Sequence, residues 1–136
     1  MANSQSIGIA YLDQDIIGAQ YLFSSEQIGY GTAAQGAVTQ LTDKGTVVTL
    51  NKSAGRITMN SAALAGNTAI TFTLTNNLIS ANDVIITNVS GGGTAGAYTT
   101  YVSSMTTGSA VLTLRNLTSG SLSEAVIVNY AIIHGQ

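Results

Sequence analysis

The sequence contains no cysteine, no proline and no tryptophan. Without cysteine there is no disulfide framework, no thiolate nucleophile and no thiolate metal site. Charge is almost as scarce. Four basic and six acidic residues make up 7% of the 136 positions, against about 25% in an ordinary soluble protein. A net charge of −2 with four scattered cations is no electrostatic footprint for nucleic acid. No run approaches the ~18 consecutive apolar residues of a membrane-spanning helix. The opening Met1-Ala-Asn-Ser-Gln-Ser has no basic region ahead of an apolar run, so no secretory signal is expected. Neither nucleic acid nor a membrane is therefore an expected partner. Disorder needs low hydrophobicity or high net charge, and here hydrophobic residues reach an ordinary 45%.

Threonine and glycine fill the space left by charge, with 18 and 15 copies. Their arrangement predicts β structure. Ile70, Phe72 and Leu74 alternate with Thr71, Thr73 and Thr75, and a period of two places the apolar set on one face of a strand. Similar runs cover 46–50, 55–59, 83–89, 97–102 and 110–116. The run 124–133 is the most continuously apolar, as expected of a strand covered on both faces. Thr42-Asp43-Lys44-Gly45-Thr46 reads as a hairpin turn with Gly45 at positive φ, and turns are also expected at 90–96, 106–109 and 118–121. The single helical candidate is the short stretch 60–65. Seven or so short strands with regular turns predict an all-β fold, an antiparallel β-sandwich or jelly-roll-like domain over 36–136.

Residues 1–35 differ. Ile7-Gly-Ile-Ala-Tyr11-Leu12 is echoed by Ile17-Gly-Ala-Gln-Tyr21-Leu22, with a fainter copy at Ile28-Gly29-Tyr30. Three such units are too short for a solenoid. They predict an extended arm or a meander of short strands, the alternative being an ordinary hairpin packed on its own sandwich. An arm of this composition exposes Ile7, Tyr11, Leu12, Ile17, Tyr21, Leu22, Phe23 and Tyr30, and exposed apolar segments mark interfaces. These are the candidate interface residues.

Candidate chemistry is sparse. The one histidine, His134, reads as a terminal surface residue rather than a base. With no second histidine and no cysteine, no metal site is expected. Asp13-Gln14-Asp15 reads as a solvated turn. In a strand its two carboxylates would share a face, yet they lack the further oxygen ligands of a calcium loop and the opposed placement of a glycosidase pair. Gly91-Gly92-Gly93 is followed by Thr94-Ala95-Gly96 instead of the Lys-Ser/Thr of a phosphate loop. The tyrosines lie mostly within strand-like runs, where packing is the common use. Asn51, Asn88 and Asn116 begin Asn-x-Ser/Thr triplets, expected by chance in such a composition. Lys52 or Arg56 is expected to pair with Asp43 or Asp83, and any buried charge to fix register or a subunit contact. No catalytic residue, cofactor or metal ligand is nominated.

The stretches Ile28-Gly-Tyr-Gly-Thr-Ala-Ala-Gln-Gly-Ala-Val-Thr, Val48-Thr-Leu-Asn-Lys-Ser-Ala-Gly-Arg-Ile-Thr-Met-Asn, Phe72-Thr-Leu-Thr-Asn and Gly120-Ser-Leu-Ser-Glu-Ala-Val-Ile-Val-Asn-Tyr resemble a family of small virion structural proteins of tailed bacteriophages and prophages. The resemblance covers about residues 28–135. It implies a non-enzymatic β-domain associated with a capsid or tail and carries over no catalytic residue. The expected function is a capsid decoration (cement) protein. Such a protein, made in the host cytoplasm, sits on the outer capsid surface, bridges copies of the major capsid protein and self-associates as a homotrimer. The alternative is a tail-fibre or baseplate module binding host glycan, with Tyr98, Asn88 and the 91–93 loop clustered as an exposed platform.

Overall fold

The computed structural model describes residues 20, 21 and 23–135. Among these residues a single 3₁₀ turn, Thr32–Ala34, leads into eight strands. They are β1 (Gln35–Thr39), β2 (Val48–Thr49), β3 (Ala54–Thr58), β4 (Ala69–Thr75), β5 (Val84–Gly91), β6 (Tyr98–Thr106), β7 (Ser109–Asn116) and β8 (Ile127–Ile133). Two four-stranded sheets form, a first of order β1-β3-β8-β5 and a second of order β2-β4-β7-β6. The all-β sandwich expected from the alternation is what the chain adopts.

The sheets are mixed rather than purely antiparallel, because β1 pairs with β3 and β2 with β4 in parallel. The cause is the path of the chain. From β1 to β6 each strand lies in the opposite sheet from its predecessor. A strand reached after a visit to the other sheet runs again in the original direction, so it adds in parallel. The expected hairpin at 42–46 is accordingly a corner between sheets. Gly45 is not among the glycines of positive φ. The Asp43 carboxylate forms the turn instead, accepting from Gly45 N at 2.8 Å and Thr46 Oγ1 at 3.1 Å. The connection β6–β7 is a true hairpin, with Gly108 at φ 84° in its two-residue loop.

The stretch 60–65 is extended, not helical. Leu64 bridges Leu122 in antiparallel fashion, and the Asn60 side chain accepts from Ala62 N at 2.8 Å, a local bond that competes with helix formation.

The core lies between the sheets. Phe72 and Leu74 of β4 and Leu112 and Leu114 of β7 face Ile57 of β3 and Val128, Tyr130 and Ile132 of β8. Each such side chain stabilises the fold by about 1.5–3 kcal/mol through the area it removes from water. Three buried amides tie loops to this core. Gln40 donates to Lys44 O and Thr46 O. Asn76 donates to Lys52 O at 2.7 Å, and Asn116 donates to Leu64 O and Gly120 O. Strand β8 is central in its sheet, but its outward residues Ile127, Asn129 and Ala131 are half-buried and Ile133 is exposed. The double cover expected for it is not present among the described residues.

Candidate functional site: the outer face of the first sheet

The two outer faces differ. On the second sheet Thr71, Thr73 and Thr75 of β4 and Thr99 and Tyr101 of β6 point outward, beside Val111 and Arg115 of β7, while Thr113 between them is buried. This is the β-branched, hydroxyl-bearing surface that suits a wet pleated face. On the first sheet the register aligns Ala37, Arg56, Asn129 and Asn88 in one row across the strands. The next row is Gln35, Ala54, Ala131 and Ile86, and the row beyond pairs Ile133 with Val84. One corner is thus apolar. Val84, Ile86 and Ile133 are 58%, 55% and 54% exposed, adjacent to one another and to Ala131. Arg56 is the single charged residue among the strand residues of this face, and it has no carboxylate partner among the described residues. Beside it lies a shallow depression of about 270 Å³ lined by Gln35, Gly36, Ala54, Gly55, Arg56, Asn129 and Tyr130.

Among the described residues, no strand pairs with the edge beside the apolar corner. Ile132 N donates to Ser53 O on the β3 side, so antiparallel alternation turns the backbone groups of Ile85, Thr87 and Val89 toward that edge of β5. None of the four edge strands, β1, β2, β5 and β6, contains a charged residue.

Two polar clusters frame this face. Asp83, just before β5, is buried and accepts from Ser80 N at 2.8 Å, Ser80 Oγ at 2.9 Å and Gly135 N at 3.0 Å, with His134 Nδ1 at 3.2 Å. These donors, the Ser80 amide first, hold its carboxyl down at about 2. The Ser80 hydroxyl also bonds Asp83, so the trio ties residues 134 and 135 to the β4–β5 turn. His134, nominated as a surface residue, has a half-exposed side chain and a structural partner. Lys44 is buried and donates to Asn60 O and, at 2.5 Å, to Glu124 O. Burial pushes its ammonium below the ordinary lysine value, partly offset by the Glu124 charge. The Glu124 carboxylate accepts from Thr94 N and Oγ1 and from Tyr98 OH at 2.9 Å. These bonds hold it below its usual range, and burial with that carboxylate raises the Tyr98 phenol to about 12. The expected pairs of Lys52 or Arg56 with Asp43 or Asp83 do not form. Lys52 donates instead to Ala33 O at 2.8 Å.

Of the nominated interface residues, Ile7, Tyr11, Leu12, Ile17 and Leu22 lie outside the described residues. Tyr21 and Phe23 are 71% and 89% exposed, and their rings stack with centroids 6.0 Å apart. All described residues from 20 to 33 are exposed and none belongs to a strand. Tyr30 fastens this segment to the sandwich. Its hydroxyl donates to Ile132 O, and Gln35 Nε2 donates to Tyr30 O at 2.8 Å. The glycan platform expected at Tyr98, Asn88 and 91–93 is not assembled, because Tyr98 is buried against Glu124 while Asn88 points from the outer face of β5. The corner of Val84, Ile86, Ala131 and Ile133 was not nominated, although both runs holding it were read as strands. The available signal was that 84–86 and 131–133 are apolar at consecutive positions, which in a strand places apolar groups on both faces. Comparison with protein-family models, with characterised proteins and with solved structures returned no match to this chain.

Proposed function

We propose that this chain is a non-enzymatic structural protein of a tailed-phage virion, a decoration protein that binds the outer capsid surface and bridges neighbouring copies of the major capsid protein. The observation that carries this reading is the unguarded perimeter: four edge strands without a charge and one apolar outer corner. Free monomers protect strand edges with lysine and other charged residues or with proline, and this chain places threonine, serine and glycine there. Such edges suit a protein whose surface is covered in an assembly. Weak individual contacts suffice in a shell, because many repeats act together. Self-association as a homotrimer belongs to the same reading. The test is occupancy of purified expanded capsids by the full chain and by a chain lacking residues 1–27. Saturation at hundreds of copies per particle, lost on deletion, is expected; equal occupancy of the two proteins removes the arm from the mechanism, and no occupancy by either overturns the reading.

A second reading, a tail-fibre or baseplate module for host glycan, is favoured by the depression beside Arg56 and its amide neighbours Gln35 and Asn129. Binding on a glycan array that is abolished by Arg56→Ala selects it, as does a copy number of a few dozen per virion.

A further inference from the structure

We infer that the segment around Tyr21–Tyr30 of one copy docks on the apolar corner of the first sheet of a second copy, with Phe23 over Ile86 and Glu26 against Arg56. This exchange deepens the structural role proposed above, rests on it for its purpose, and names the surface that receives the arm.

Four observations fix the occupant. First, the arm and the corner are chemically alike: a stacked, exposed aromatic pair on one side and three half-exposed aliphatic side chains on the other. Contiguous exposed apolar patches of this kind on a single molecule commonly mark interfaces. Second, the charges complement each other. Glu26 is the one charged residue between positions 20 and 30, and Arg56 is the one charged residue on the receiving strands' outer face. Third, the spacing fits. Between Phe23 and Glu26 the segment bends, Glu26 N donating to Ser24 Oγ and Ser24 Oγ to Gln27 O. Side chains three residues apart therefore need not face opposite sides as in a strand, and three residues reach at most about 10 Å. Arg56 lies two strands across and two residues along from Ile86, a diagonal of about 12 Å at ordinary strand spacing, and the long Glu and Arg side chains close the remainder. Fourth, the described part of the arm does not cover its own corner. Tyr30 is held at Ile132 O on the β3 side, and the described residues before it remain exposed.

The absence of native cysteine makes the test clean. Phe23→Cys and Ile86→Cys are introduced in separate full-length chains distinguishable by mass, mixed and mildly oxidised without capsids. A reducible mixed dimer is expected, and Phe23→Cys with Thr73→Cys, on the opposite outer face, is expected to give less than one-tenth as much. Both replaced side chains of the main pair are exposed, so the fold tolerates them, and circular dichroism checks this. Sedimentation gives an independent readout. Glu26→Arg is expected to weaken self-association at least tenfold, and adding Arg56→Glu to restore it. A monomeric wild type, equal cross-linking to Thr73→Cys, or unchanged association in Glu26→Arg overturns the inference. Because no capsid is present, these outcomes are distinct from failure of capsid binding, which overturns only the function proposed above.

Discussion

Buried polar residues carry the most information at the scale of single side chains. Lys44 donates to Asn60 O and Glu124 O from a buried position. Replacing it with methionine keeps the aliphatic stem and leaves two carbonyls without a donor, each worth about 1–3 kcal/mol. Lys44→Met is expected to destabilise by about 2–4 kcal/mol, read from the urea midpoint, whereas Lys52→Met, which loses one exposed bond, costs under ~1 kcal/mol. Asp83 provides a pH signature. Its folded-state value, about 2, lies below the unfolded value of about 3.9, so its stabilising contribution is present above pH ~4 and is lost as pH falls toward 2. Melting temperature is expected to drop across that window in the native protein, and Asp83→Asn, already weaker at pH 7, is expected to show a flatter profile. The sequence showed which charges existed but not their partners. Gly135 and His134 reach Asp83 from 52 and 51 residues away, and no local pattern encodes that distance.

Elements were legible where one face met the core. In β4 the alternation of Ile70, Phe72 and Leu74 with threonines gives the inward and outward sets directly. Phe72→Ala is therefore expected to cost about 3–5 kcal/mol, while Thr71→Val, outward and exposed, changes the denaturation midpoint by no more than ~0.5 kcal/mol equivalent. In the β6–β7 hairpin Gly108 sits at φ 84° with open space around the missing Cβ. The cost of Gly108→Ala is then conformational alone, about 1–2 kcal/mol. Strand β1 escaped notice because Gln35-Gly36-Ala37-Val38-Thr39 offers one large hydrophobe. Its glycine is required by packing, since a Cβ at Gly36 would stand 2.9 Å from Leu50 Cδ1. The stretch 60–65 misled for the opposite reason: short runs of alanine and leucine favour helix locally, and the bridge from Leu64 to Leu122 overrides that preference.

At the scale of the whole molecule, the sandwich holds together through strand exchange between sheets, and the described part of the arm adds little to it. The described residues 20–29 are exposed, and only from Tyr30 onward does a bond reach the sheets. Removing residues 1–29 is expected to leave the melting temperature within about 2 °C while reducing self-association, measured by calorimetry and sedimentation on the same samples. A large fall in melting temperature would instead make the arm part of the fold. Tyr30→Phe, which deletes the hydroxyl bond to Ile132 O, is expected to cost about 1 kcal/mol. The same scale explains the low charge. Edge strands without lysine or glutamate are a hazard in a free monomer and an asset in an assembly.

The sequence by itself determined the β class, the core of β4, β7 and β8, the turn at Gly108 and the scarcity of charge, because all of these follow from residue type and a period of two. Tertiary structure alone decided the rest. It made the sheets mixed, because parallel pairing depends on which sheet the intervening strand visits. It buried Lys44 and paired Asp83 with the chain end, because those partners meet only when distant loops converge. It also gathered Val84, Ile86, Ala131 and Ile133 into one exposed corner, because adjacency across two strands is set by register, which the linear order of residues does not contain.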